Sequence, residues 1–147
     1  MSLEGLLKDR KIEKVAAGET SAKASLRLAK RDMEAARRNF QAKDYDWCLA
    51  IAYNAMLQSG KALMLSKGYR ATGQYGHVAV IEFTHDVFGK EITDRMIDIF
   101  NGLRKKRHRV VYDEIGTVSE EEAKRAITWA EEFLHKTGEI LSKQSGF

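Results

Sequence analysis

Residues 47–69 read WCLAIAYNAMLQSGKALMLSKGY. Trp47, Leu49, Ile51, Met56, Leu63 and Leu65 do not fall on one stripe of a helical wheel; the segment is apolar nearly all round. A helix of that kind belongs in the middle of a bundle, touched from several sides. A helix of about 20 residues spans about 30 Å. Asn54, Gln58, Ser59 and Lys61 interrupt the apolar surface, which argues against a membrane span. Gly60 permits another backbone to approach closely, as at a helix crossing.

The flanking segments supply partners for such a central helix. Upstream, Leu26, Ala29, Met33, Ala36 and Phe40 recur in steps of three and four, which marks an amphipathic helix. Thr20 or Ser21 is positioned to cap it, and Asp44 or Asp46 to cap the central one. Residues 3–16, with Leu3, Leu6, Leu7, Ile12 and Val15, read as a short N-terminal helix. Downstream, GYRATGQYG (68–76) reads as a glycine-rich flexible connector and HVAVIEFTHDVFG (77–89) as a shorter helix. A further helix follows, with Ile92, Met96, Ile99, Phe100 and Leu103 on one face. After a turn around Gly116, Ser119 and Glu122 form an S-x-x-E capping box opening a last helix. The 147 residues contain no proline, so nothing breaks these helices from within. An all-α antiparallel bundle of five main helices, in one domain, is expected.

Composition narrows the function. No apolar run approaches the roughly 18–20 residues of a membrane span, and MSLEGLLKDRKIEK lacks the pattern of a signal peptide, so a cytoplasmic protein is expected. Cys48, the single cysteine, sits in an apolar stretch and reads as a buried, inert thiol. His77, His85, His108 and His135 form no close pair at metal-ligand spacing, and neither a metal nor a cofactor is expected. The phosphate-loop, dinucleotide and serine-hydrolase motifs are absent.

The charge is concentrated. Residues 104–109, RKKRHR, hold five Lys or Arg; without them the net charge of +4 becomes −1. Arg107 falls in the apolar seam that runs through Met96, Phe100 and Leu103 to Val110 and Val111. Arg104, His108 and Tyr112 follow one another at single helical turns on the neighbouring stripe. Two guanidiniums, an imidazole and a phenol can thus converge around a phosphate, with Arg109 beside them, and His108 or Tyr112 can exchange a proton. The plainer reading is a solvated helix end whose cations oppose the macrodipole, worth about 0.3–1 kcal/mol each.

Three stretches together resemble the HEPN-domain family. AYNAMLQSGKALMLSKGYRATGQYGH (52–77) resembles its second-helix signature, LRKKRHRVVYD (103–113) its Arg-containing fourth-helix motif, and VSEEEAKRAITWAEEFL (118–134) its last helix. The resemblance covers about residues 22–143 and leaves 1–20 as an N-terminal extension. It implies a five-helix up-and-down bundle, commonly a homodimer, often encoded beside a small nucleotidyltransferase as toxin and antitoxin. Many members are metal-independent endoribonucleases with Arg, four to six intervening residues, then His. A branch ending in Asp-Tyr-Asp lacks that His and is treated as nucleotide- or RNA-binding.

Carried over by position, Arg107 matches the motif arginine, but Tyr112 stands where the nuclease branch has His. His108 is adjacent to Arg107 and has only three residues between it and Arg104, so neither pair has the nuclease spacing. Val111 stands where the other branch has Asp. His77 matches a family position near the start of the third helix, where a helix-start hydrogen bond is expected. Tyr53 and Asn54 read as packing and as a satisfied polar group. The resemblance thus implies a nucleotide- or RNA-phosphate-binding module using Arg104, Arg107, His108, Arg109 and Tyr112. Its alternative is an endoribonuclease toxin using Arg107 with His108 or Tyr112.

Overall fold

The computed structural model describes residues 1–73, 76–113 and 115–144. Among these, six helices and two short strands form: α1 (Leu3–Lys8), β1 (Ile12–Lys14), α2 (Glu19–Gln41), α3 (Tyr45–Ser66), β2 (Tyr69–Ala71), α4 (Gly76–Phe88), α5 (Asp94–Tyr112) and α6 (Glu120–Ser142). The fold is an all-α bundle of five long helices with a short N-terminal one. No described helix is long and apolar enough to cross a membrane.

The all-round apolar helix α3 occupies the centre and packs against α2, α4, α5, α6 and β2. Its buried residues, from Cys48 through Tyr53 and Met56 to Met64, come from every side of the helix. The amphipathic partners bury one face each: Ala29, Met33 and Ala36 on α2, Met96, Ile97 and Phe100 on α5, Ala130, Phe133 and Ile140 on α6. Cys48 is fully buried, and burial pushes its thiol up to about 11, which keeps it protonated and unreactive. At the start of α6, Glu122 N–H donates to Ser119 Oγ and Ser119 N–H to Glu122 Oε1, both at 3.1 Å, completing the capping box.

Four local expectations are corrected. Residues 3–16 are not one helix: Arg10, at φ +58°, ends α1, and Ile12–Lys14 pair antiparallel with Tyr69–Ala71. The stretch expected to be a connector therefore contributes a strand, while Gln74 and Tyr75 within it lie outside the described residues. Helix α2 starts after Gly18, ahead of Thr20 and Ser21. Asp44 precedes α3 without a side-chain cap, and Asp46 turns its carboxylate to the turn before α6, accepting from Gly116 and Val118 N–H.

Gly60 does mark a close crossing. A Cβ there would lie 2.5 Å from Val80 Cγ1 and 3.7 Å from Phe100 Cε2. Val80 is buried, and a β-branched side chain in a helix has one strongly preferred rotamer, so it cannot swing aside cheaply. Gly→Ala inside a helix ordinarily gains about 0.5–1 kcal/mol. Here overpacking costs about 1–3 kcal/mol, so Gly60→Ala is expected to lower the urea midpoint. An unchanged or raised midpoint would show that α4 has room to retreat.

Candidate functional site

The seam of α5 carries the argument from fold to site. Met96, Phe100 and Val110 on it are buried. Arg107, in the same seam, is half-buried rather than free in solvent. It lies where α5 passes the middle of α3 and the first turn of α4, and its charge is felt at Tyr53 and His77. Arg104, one turn earlier and also half-buried, acts on the same two groups. Its Nε donates to Asn101 Oδ1 at 3.1 Å, which fixes the direction of the guanidinium.

Tyr53 is fully buried, its ring 5.8 Å from that of Phe100 and 5.7 Å from that of His77. A buried phenol needs a hydrogen-bond partner. Tyr53 finds one in His77, the second residue of α4, with Oη and Nδ1 3.0 Å apart. His77 therefore bonds a side chain of α3 rather than the start of its own helix. Asn54, half-buried, bonds the Asp32 carboxyl on α2, whose own pKa burial raises.

The electrostatics are asymmetric. Burial lowers the His77 pKa, and the cations of Arg107, Lys61 and Arg104 lower it further. Burial raises the Tyr53 pKa, against a smaller opposite pull from Arg104 and Arg107. Both groups are neutral at pH 7. Among the described residues, Lys61, Arg104 and Arg107 form no ion pair with a carboxylate. Three cations thus face a neutral hydrogen-bonded pair, an arrangement that favours an incoming anion.

The other sequence-predicted residues point elsewhere. His108 and Tyr112 are exposed and lie ring to ring, centroids 4.9 Å apart, on the solvent face of α5. Arg109 lines a separate cleft between α5 and α6, with Lys106, Glu122, Arg125 and Trp129. Lys106 pairs with Glu122 at 3.6 Å, and that carboxyl is held below its usual range chiefly by the Ser119 backbone bond. The imidazole and phenol on which the Arg104 and Arg107 charges act are those of His77 and Tyr53, not those of His108 and Tyr112. No group of three or more His, Cys, Asp or Glu side chains among the described residues is placed to hold a metal ion.

With this geometry in place, comparison with known families is decisive. The HEPN domain model matches residues 22–141, from early in α2 to the end of α6.

The chain belongs to the HEPN-domain family.

HEPN domains are generally RNA-binding or nuclease-related, which agrees in class with a cationic site of this kind. The match takes in α3, α4 and α5, which build the candidate site, and leaves out α1 and β1. No curated protein matches the chain.

The lowered His77 pKa has a consequence for this HEPN protein's stability. The unfolded chain takes up a proton near the ordinary pKa of 6.5, while the folded state resists it. The unfolded state then binds more protons, so stability falls as pH drops below about 6.5. Urea midpoints at pH 7.5 and 5.5 should differ less in His77→Gln than in the wild type. Equal pH dependence in both would mean that His77 titrates as freely in the folded protein as in the unfolded chain.

Proposed function

We propose that this HEPN protein binds nucleotide or RNA phosphates on the face formed by Lys61, Arg104 and Arg107. It belongs in this reading to the branch without the nuclease histidine, works as a homodimer, and partners a small nucleotidyltransferase in a toxin–antitoxin-like pair. One observation supports the binding: the charges of half-buried Lys61, Arg104 and Arg107 all act on the neutral His77, which is bonded to Tyr53, and none of the three has a carboxylate partner among the described residues. Half-buried cations without counter-ions leave positive charge for an anionic ligand to pair with.

The test is the affinity of a labelled single-stranded RNA 12-mer measured against salt. Each lost phosphate contact is expected to reduce the log–log slope by about 0.7 on a single strand, and Arg107→Ala should show such a reduction with weaker binding. Binding that ignores salt, or ignores the substitution, overturns the proposal.

A second reading has one observation in its favour. Metal-independent RNA cleavage needs a group that is a base at pH 7, and His77 is a neutral imidazole within the field of Arg107. His77 would take the proton of the 2′-hydroxyl as that oxygen attacks phosphorus, the P–O5′ bond would break to leave a 2′,3′-cyclic phosphate, the leaving 5′-oxygen would take a proton from water, and Arg107 would face the phosphate charge. It replaces His108 and Tyr112, which face solvent, as the candidate acid–base group. RNA incubated with the protein in chelator should then be cut, and His77→Ala and Arg107→Ala should each abolish the cutting. Intact RNA rejects this reading and leaves the first standing.

A further inference from the structure

We infer that the end of the bundle where α3 begins and α5 ends is a stacking platform for unpaired bases, with Trp47 and Tyr112 as its ring faces; this rests on the phosphate-binding reading above. Five large hydrophobic side chains are exposed among the described residues, and three of them, Trp47, Tyr112 and Ile115, gather at this one end. Single exposed apolar residues are ordinary; a group is not. Trp47 is 57% exposed and Tyr112 65%.

The placement is held rather than accidental. Trp47, Val110, Val111 and Ile115 line one shallow cleft of about 70 Å³, too small to take up a ligand, so a partner meets it as a surface. Asp46, next to Trp47, accepts from Gly116 and Val118 N–H and ties the turn to the start of α3. The Tyr112 ring rests on His108 one turn back, which presents two rings side by side. Lys105, exposed, precedes the rings on the solvent side of α5, and half-buried Arg104 and Arg107 carry the charge round to the His77 side of the same helix. The eight helical steps from 104 to 112 cover about 12 Å, a reach of roughly two nucleotides.

Planar rings beside a line of cations match a single-stranded nucleic acid, whose bases stack while its phosphates follow the charge. A duplex hides its base faces and cannot use the rings. Ring stacking is tolerant of base identity, so little sequence preference is expected. The remaining occupant of a surface with both aromatic and basic side chains is an anionic membrane. It is disfavoured because the patch has one exposed aliphatic side chain, Ile115, to insert among acyl chains, and because exposed Asp113 adjoins Tyr112.

The experiment measures four probes on the whole protein at one salt concentration: an oligoadenylate 10-mer, its duplex, an abasic 10-mer of the same backbone, and phosphatidylserine vesicles. The wild type should prefer the oligoadenylate over the duplex and the abasic strand by at least about tenfold. Trp47→Ala and Tyr112→Ala should each weaken oligoadenylate binding about 5- to 100-fold and leave the abasic strand unchanged, because one stacked base is lost and no phosphate contact. Tyr112→Phe should keep the affinity. Both side chains are exposed, so these variants should fold, which the far-UV spectrum verifies. Equal binding of all three nucleic acids overturns the platform and leaves the phosphate site intact. Binding of none overturns both. Vesicle binding that falls in the two alanine variants, with no preference among nucleic acids, assigns the patch to a membrane and overturns the inference.

Discussion

Phe100→Ala is expected to cost about 3–5 kcal/mol, measured as a fall in the free energy of urea unfolding. Phe100 is fully buried, and its ring meets those of Tyr53 at 5.8 Å and Phe133 at 5.1 Å, the latter edge-on. It joins α5 to α3 and α6 at a point where Gly60 and Val80 already hold α3 and α4 in close contact. Neighbours so tightly fitted cannot collapse into the space, so the cavity term should be felt in full. A domain of this size has about 5–15 kcal/mol to lose, so the variant should be marginal at best. Phe100→Leu, which fills most of the volume, should cost about 1.5 kcal/mol or less. A cost for alanine near that of leucine would mean that α5 is only loosely docked. The position of Arg107 would then not be fixed by packing.

Much of this architecture is legible in the sequence because helical periodicity is a local signal. The nearly all-round apolar surface of 47–65 marks the central helix, and the stripes through Met33, Phe100 and Phe133 mark its neighbours. The Ser119–Glu122 box is readable for the same reason, since it needs only its own helix, and Gly60 stands out as the small residue within the central one although its partners, Val80 and Phe100, come from other helices. What was missed is non-local. Leu6 and Ile12 are both buried, and their spacing suits a helix, yet the left-handed turn at Arg10 sends Ile12 into a strand whose partner is Ala71. Asp46 has the right position for a cap but serves a turn 70 residues away.

The site divides along the same line. That Arg107 interrupts an apolar seam is visible in the spacing, and the half-buried guanidinium is what such an interruption should produce. Its neighbours are not visible there. His108 and Tyr112 share a helix with Arg107, which made them the natural partners on a wheel, but they lie on its solvent face. His77 and Tyr53 come from other helices. One clue was present: Tyr53 is a phenol within an otherwise apolar run, and burial obliges it to find a partner somewhere. Sequence alone does not say where.

Reversing both charges, Arg104→Glu with Arg107→Glu, is expected to weaken single-stranded RNA binding about 100- to 10,000-fold. Two hydrogen-bonded contacts to a charged group are worth about 1.5–3 kcal/mol each, and each 1.4 kcal/mol is a factor of ten. The salt slope should fall by about 1.4 as two phosphate contacts disappear. Lys105→Glu with Arg109→Glu makes the same change in net charge, but Lys105 is exposed and Arg109 lines the α5–α6 cleft. A loss of about tenfold or less is expected for that pair. The first pair also has a signature without RNA. Arg107 and Arg104 both lower the His77 pKa, so their reversal should move the His77 ring titration upward in an NMR experiment, while the second pair leaves it nearly in place. If both pairs weaken RNA equally and neither moves His77, binding comes from the general field of the basic strip, and the His77–Tyr53 face has no part in it.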